Sequence, residues 1–157
     1  MKKNKNFYHY THHKALQGIL NDGYIRLADK SAYKKIKSIA WVSSNEQWEN
    51  TATKMVRIDS YRTKSLTFKE QLQNLGCARI KIKEDGINTW AKLKHIAKYT
   101  YEQIKSLEDV GYKQKAIPEQ WHGSLKPIKE SHFINIELHD GTQWVSYEDN
   151  KNLLIRY

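Results

Sequence analysis

One cysteine, Cys77, stands in 157 residues, so no intramolecular disulfide is possible and a reducing cytosol is the expected compartment. No run approaches the ~18 consecutive apolar residues that a membrane-spanning helix needs, and the mean hydropathy is −0.82. The opening MKKNKNFYHYT is basic with no apolar stretch behind it, unlike a secretory leader. A cytoplasmic, soluble protein is expected. The sequence also has no CxxC pair, no glycine-rich phosphate loop, no nucleophile elbow, no internal repeat and no low-complexity linker. What remains is one domain over residues 1–157, with residues 1–5 as a flexible basic tail.

What is abundant is positive charge and amphipathic aromatic surface. Lys and Arg number 27 against 17 Asp and Glu, a formal net charge of +10, and the field this creates draws polyanions such as nucleic acid. Most of the surplus is Lys, a hydrated point charge that suits solubility and non-specific phosphate contact more than bidentate base reading. Five Trp and ten Tyr stand against three Phe. Such side chains suit stacking on a base, nicotinamide or sugar, and equally suit half-wet core positions.

Periodicity predicts an α+β fold with a short, mixed or antiparallel split sheet and flanking helices. Residues 6–11 (NFYHYT) read as a strand, with Thr11 placed to cap a helix over 12–20 that Gly23 ends. Residues 24–27 read as a strand, 28–37 as a lysine-rich surface loop, and 38–44 (SIAWVSS) as an apolar strand ending in hydroxyls. Asn45 is then placed to cap a helix to about Met55. Residues 56–65 are ambiguous; 66–75 predict a helix ended by Gly76, and 77–83 alternate as a strand. Residues 88–98 and 100–110 carry helical patterns, the second closed by Gly111. The stretch from Pro118 to Ser124 reads as a loop. A hairpin over 133–138 and 142–147 turns at Asp140-Gly141, and 153–157 read as a last strand.

Three segments gather unusual polar and aromatic residues: 8–11 (YHYT), 41–49 (WVSSNEQWE) and 118–124 (PEQWHGS). Residues so spaced can converge only in the fold, at strand ends and the loops after them. The first 55 residues, YHYT with its short helix and Gly23, then AWVSS running toward a helix, resemble the ADP-ribosyltransferase fold of the diphtheria-toxin-like and PARP-like branches and their DNA-modifying toxin relatives. That resemblance implies NAD as substrate. It implies a first-strand His9, with Tyr10 and Thr11, at the adenosine ribose. It implies Ser43, Ser44, Asn45 and Trp48 as the nicotinamide shelf, and a late acidic or amide residue, Glu119 or Gln120, at the start of a third strand, with Trp121 and Ser124 facing the acceptor. Gln120 in the late position implies a slow or non-enzymatic protein. The chain also resembles bacterial and phage proteins that carry W-x-S-x-N-x-x-W-E-x-T-A and P-x-Q-W-x-G-S segments, a likeness that names no activity.

Each residue also has a plain structural role open to it. His9 reads equally as a satisfied structural histidine, Trp41 as core, and Glu49 as a carboxylate capping a helix start. His9, His12 and His13 lack the carboxylate or cysteine partners of a zinc or iron site, so no metal is expected. Cys77 has no CxxC partner and reads as a buried structural thiol. Two functions follow as expectations. One is an ADP-ribosyltransferase-like protein that modifies a nucleic acid or a host protein. The other is a non-enzymatic nucleic-acid-binding or inhibitor protein of phage or mobile-element origin.

Overall fold

The computed structural model describes residues 5–28 and 35–156. The expected tail 1–5 and loop 28–37 therefore lie largely outside the described residues. Eleven strands and four α-helices follow in the order β1 (Phe7–Thr11), α1 (His13–Asp22), β2 (Tyr24–Ile25), β3 (Ala40–Ser43), β4 (Met55–Arg57), β5 (Thr63–Ser65), α2 (Phe68–Asn74), β6 (Ala78–Ile82), β7 (Asn88–Thr89), α3 (Trp90–Ile96), α4 (Tyr101–Lys113), β8 (Trp121–Ser124), β9 (Ile128–Lys129), β10 (Phe133–His139) and β11 (Trp144–Ser146). Seven of the strands form one sheet in the order β11-β10-β6-β1-β3-β8-β7, and every pairing in it is antiparallel. The chain is a single α+β domain built on that sheet.

Alternation along β1 divides its side chains between the two sheet faces. On one face Phe7 joins Leu16, Val42, Ile80, Ile82 and Leu138 in the main core, each apolar side chain contributing about 1.5–3 kcal/mol by leaving water. On the other, Tyr8 and Tyr10 pack with Trp48, Phe68 and Trp144. A third cluster, Ile39, Trp90, Leu93, Ala97, Ala116 and Trp121, lies under α3 and α4.

Several expectations are corrected. Thr11 belongs to β1, and the cap of α1 is His12, whose Nδ1 accepts from Ala15 N at 3.4 Å. Gly111 does not close a helix; it sits inside α4, where a Cβ would stand 2.5 Å from Trp121 Cζ2, so glycine is what lets the indole reach the helix backbone. Residues 118–124 are a 3-10 turn, Pro118–Gln120, leading straight into β8. Lys151–Arg156 is 3-10 helix rather than a last strand. The ambiguous residues 56–65 are most of a two-stranded ribbon, β4 with β5.

The expected helix 45–55 is absent for a clear physical reason. Asn45 Oδ1 accepts the backbone N–H of Gln47 (2.9 Å) and of Trp48 (3.3 Å), which bends the chain. The next carbonyls go to side chains of the sheet: Tyr10 Oη donates to Asn45 O, Arg79 Nη1 to Glu46 O, and Trp144 Nε1 to Gln47 O at 3.0 Å. With those acceptors spent, no helical ladder can start. Only one turn of 3-10 helix, Asn50–Ala52, follows.

Candidate functional site

The three segments singled out in the sequence fall on neighbouring strands, β1, β3 and β8. Tyr8 pairs with Ser43, and Ser43 pairs with Trp121, so these three side chains share a sheet face with Tyr10 and Arg79. His9 and Thr11 alternate to the opposite face.

At the first face the second and third segments lock together. The Ser43 hydroxyl donates to Glu49 Oε1 at 2.9 Å and accepts from Asn45 N at 3.1 Å. Glu49 Oε2 accepts from Thr51 Oγ1 (2.7 Å), Thr51 N (3.1 Å) and Trp121 Nε1 (3.3 Å). Glu49 is only 7% exposed, and these four donors occupy its lone pairs. It caps the 3-10 turn at Asn50, a role expected for it at a helix start. Gln120 closes the lock from β8: its carbonyl accepts from Ser44 N at 2.9 Å, and its Oε1 accepts from Asn45 Nδ2 at 3.2 Å. The residues of the two short segments thus read as partners of one another. Gly123 belongs to the same fit, since a Cβ there would meet Ala40 O at 2.8 Å.

Trp48 is buried between Tyr10, Phe68 and Trp144, stacked on the last at 6.4 Å. Its Nε1 has no hydrogen-bond partner among the described residues. Arg79, on β6 opposite Tyr10, completes this face. Its guanidinium lies 4.2 Å from the Tyr8 ring centre and 4.5 Å from that of Trp144, and its Nε donates to Glu137 at 2.9 Å. Burial, more than any neighbouring charge, pushes the phenols of Tyr8 and Tyr10 up.

The other face carries the histidines. β1 and β3 part after one residue pair, and His9 Nδ1 takes the carbonyl of Trp41 at 2.7 Å in place of the ladder. Burial lowers the His9 pKa, the Trp41 bond opposes this, and the ammonium of Lys54 lowers it further. The ring is therefore neutral near pH 7, with its proton on Nδ1 and Nε2 left as an acceptor. His12 is lowered by burial and then by the charges of Lys54, His13 and Lys14, so the Lys54 charge acts on both rings.

Glu119 does not join either face. It is exposed on the turn before β8, and its charge acts on Tyr112 of α4. Ser124 lies at the far end of β8 opposite Ala40, its hydroxyl accepting from Lys126 N at 3.0 Å. Trp121 is buried at 5% exposure against Trp41 and Trp90. Arg79, Trp144 and Lys54 were not singled out in the sequence. An isolated Arg in ARIKI, or a Lys after a threonine, carries no local signal; only strand pairing reveals their place.

Two cavities flank the site. One of about 420 Å³ lies between α2 and the β10–β11 turn, lined by His13, Phe68, Lys69, His139 and Asp140; the other, of about 320 Å³, has Trp41, Tyr99 and Leu107 in its wall. Among the described residues no three His, Cys, Asp or Glu are grouped to hold a metal ion, and no helix is long and apolar enough to cross a membrane. No family model, curated protein or solved structure matches the chain, so the site is read from its own geometry.

Proposed function

We propose that this chain is an ADP-ribosyltransferase-like protein that takes NAD as substrate and passes ADP-ribose to a nucleic-acid or protein acceptor. The observation that carries the reading is the β1–β3 junction, where His9 Nδ1 donates to Trp41 O at 2.7 Å and leaves Nε2 as an acceptor, with Lys54 the cation whose charge is felt at that ring. A ribose hydroxyl donates to such a nitrogen, and a pyrophosphate is drawn to such a cation.

NAD supplies the glycosidic bond to nicotinamide, which breaks with its electron pair leaving on the departing ring and positive charge rising on the ribose; a lone pair of an acceptor N–H or O–H then forms the new bond to that ribose carbon, and the acceptor's proton passes to water. The chain's own residues bind and orient. His9 accepts from the ribose, Lys54 neutralises phosphate, and Thr11 lies two residues along the strand from His9 on the same face. Ser43 acts through Glu49 as a positioning residue, its hydroxyl being engaged there. An amide at Gln120 stabilises positive charge less than a carboxylate does, and Glu119 is exposed on the turn before β8, so turnover is slow.

Thermal melts with millimolar NAD test the binding step, and chromatographic release of nicotinamide tests transfer. Wild type is expected to melt higher with NAD, and His9→Ala and Lys54→Ala to lose that gain. Absence of any shift together with absence of released nicotinamide removes NAD from the reading.

A further inference from the structure

The β4–β5 ribbon stands apart from the seven-stranded sheet and is tied to the domain at its base. There Leu66 N donates to Lys54 O, Lys54 N donates to Gln71 Oε1, and Leu66 is buried. Val56 and Lys64 pair on one face, and Lys64 reaches Glu70 of α2 at 2.9 Å. The opposite face, Met55 and Arg57 beside Ser65 and Thr63, looks outward. Met55 is 63% exposed, and Arg57 forms no ion pair among the described residues.

The tip is built rather than loose. Asp59 Oδ1 accepts from Tyr61 N (2.9 Å) and Arg62 N (3.0 Å), its Oδ2 accepts from Arg62 Nε (2.7 Å), and Ile58 N donates to Arg62 O (3.0 Å). Those same bonds hold the Asp59 carboxyl below its usual range. The turn they close projects Tyr61 into solvent at 96% exposure, with Ile58 beside it at 55%. An aromatic ring carried outward on a fixed turn, with nothing of its own chain against it, is free to stack on a base. Around it the ribbon carries Lys54, Arg57, Arg62 and Lys64 against the single acid Asp59.

We infer that this ribbon is a binding arm for single-stranded nucleic acid, with Tyr61 stacking on an unpaired base and Arg57 contacting backbone phosphate. A flat ring amid cations fits a polymer that alternates π faces with negative charge. One ring at a narrow tip matches an unstacked base rather than a closed duplex. Lys54 stands at the arm's base, and its charge acts on His9 and His12, so a strand on the ribbon is drawn along the side of the domain that carries those rings. In that sense the arm delivers the acceptor, and this part of the inference rests on the transferase reading.

The test is fluorescence anisotropy with a labelled thymidine oligonucleotide, without NAD, across a salt series. Wild type binds with affinity that falls steeply with salt. Tyr61→Ala weakens binding about tenfold or more, as loss of one base–aromatic stack does. Tyr61→Phe restores it, and Arg57→Ala lowers the salt slope by about one. Melting curves of all three variants match wild type, because the side chains are exposed. Tyr61→Ala binding like wild type, Phe failing to restore, tighter binding of the matching duplex, or Tyr61-dependent binding to phosphatidylserine vesicles in place of the oligonucleotide each overturns the arm. NAD stabilisation is read in parallel. Its loss with Tyr61-dependent oligonucleotide binding intact removes the transferase reading alone, and its persistence with oligonucleotide binding absent removes the arm alone.

Discussion

Replacing Glu49 with alanine removes the acceptor for four hydrogen bonds at once, and the structure apportions the cost. Ser43 and Trp121 are buried at 1% and 5% exposure, so their donors lose a partner that water cannot replace, at about 1–3 kcal/mol each. Thr51 is exposed, and its hydroxyl and N–H find water at little cost. Glu49→Ala is therefore expected to lose about 2–6 kcal/mol, which for a domain of this size lowers Tm by roughly 4–24 °C. Glu49→Gln is milder, because its oxygen can serve Thr51 and Trp121 while its amide donates to the Ser43 hydroxyl; about 1 kcal/mol is expected. Urea titration followed by tryptophan fluorescence measures both. In a double-mutant cycle with Trp121→Phe, the two losses should be non-additive. A Glu49→Ala protein as stable as wild type, or one no worse than Glu49→Gln, would refute the buried lock.

Along the third segment, Trp121→Ala should cost about 3–5 kcal/mol by opening a cavity beneath α4. Glu119→Ala should stay within about 0.5 kcal/mol in the same denaturation assay. Five histidines, His9, His12, His13, His122 and His139, are lowered chiefly by burial. The unfolded chain therefore binds protons first on acidification, so Tm should be flat above about pH 7 and fall as pH drops through about 6.5 and below; a Tm that rises on acidification contradicts this. Burial pushes the Cys77 thiol up to about 12, and it is fully buried, so alkylation by iodoacetamide at pH 8 should track global unfolding measured by urea.

The elements that local pattern determines were legible in the sequence. β1, α1 with its left-handed Gly23 at φ 81°, α2, β6 and the β10–β11 hairpin lie within a few residues of expectation. What could not be read were the places where distant residues override local preference. Residues 45–55 have a helical pattern, yet Tyr10, Arg79 and Trp144 claim their carbonyls from other strands. Gly111 resembles a terminator, yet it is a contact point for Trp121, ten residues further along the chain. The site shows the same division. Composition singled out segments 8–11, 41–49 and 118–124, and their strands are neighbours in the sheet. Strand alternation then sends His9 and Tyr10 to opposite faces, and the reach of the Lys54 charge to His9 is something no short window contains.

The bond from Trp144 to the carbonyl of Gln47 spans 97 residues of chain. During synthesis at roughly 5–20 residues per second, the bend at Asn45 waits about 5–20 s for that third anchor to appear. Until then the helical pattern of 45–55 faces no competition from Trp144. The other two anchors come sooner, Tyr10 preceding the segment and Arg79 lying 33 residues past Glu46, so a chain halted before residue 144 lacks only the last of the three ties that fix the bend.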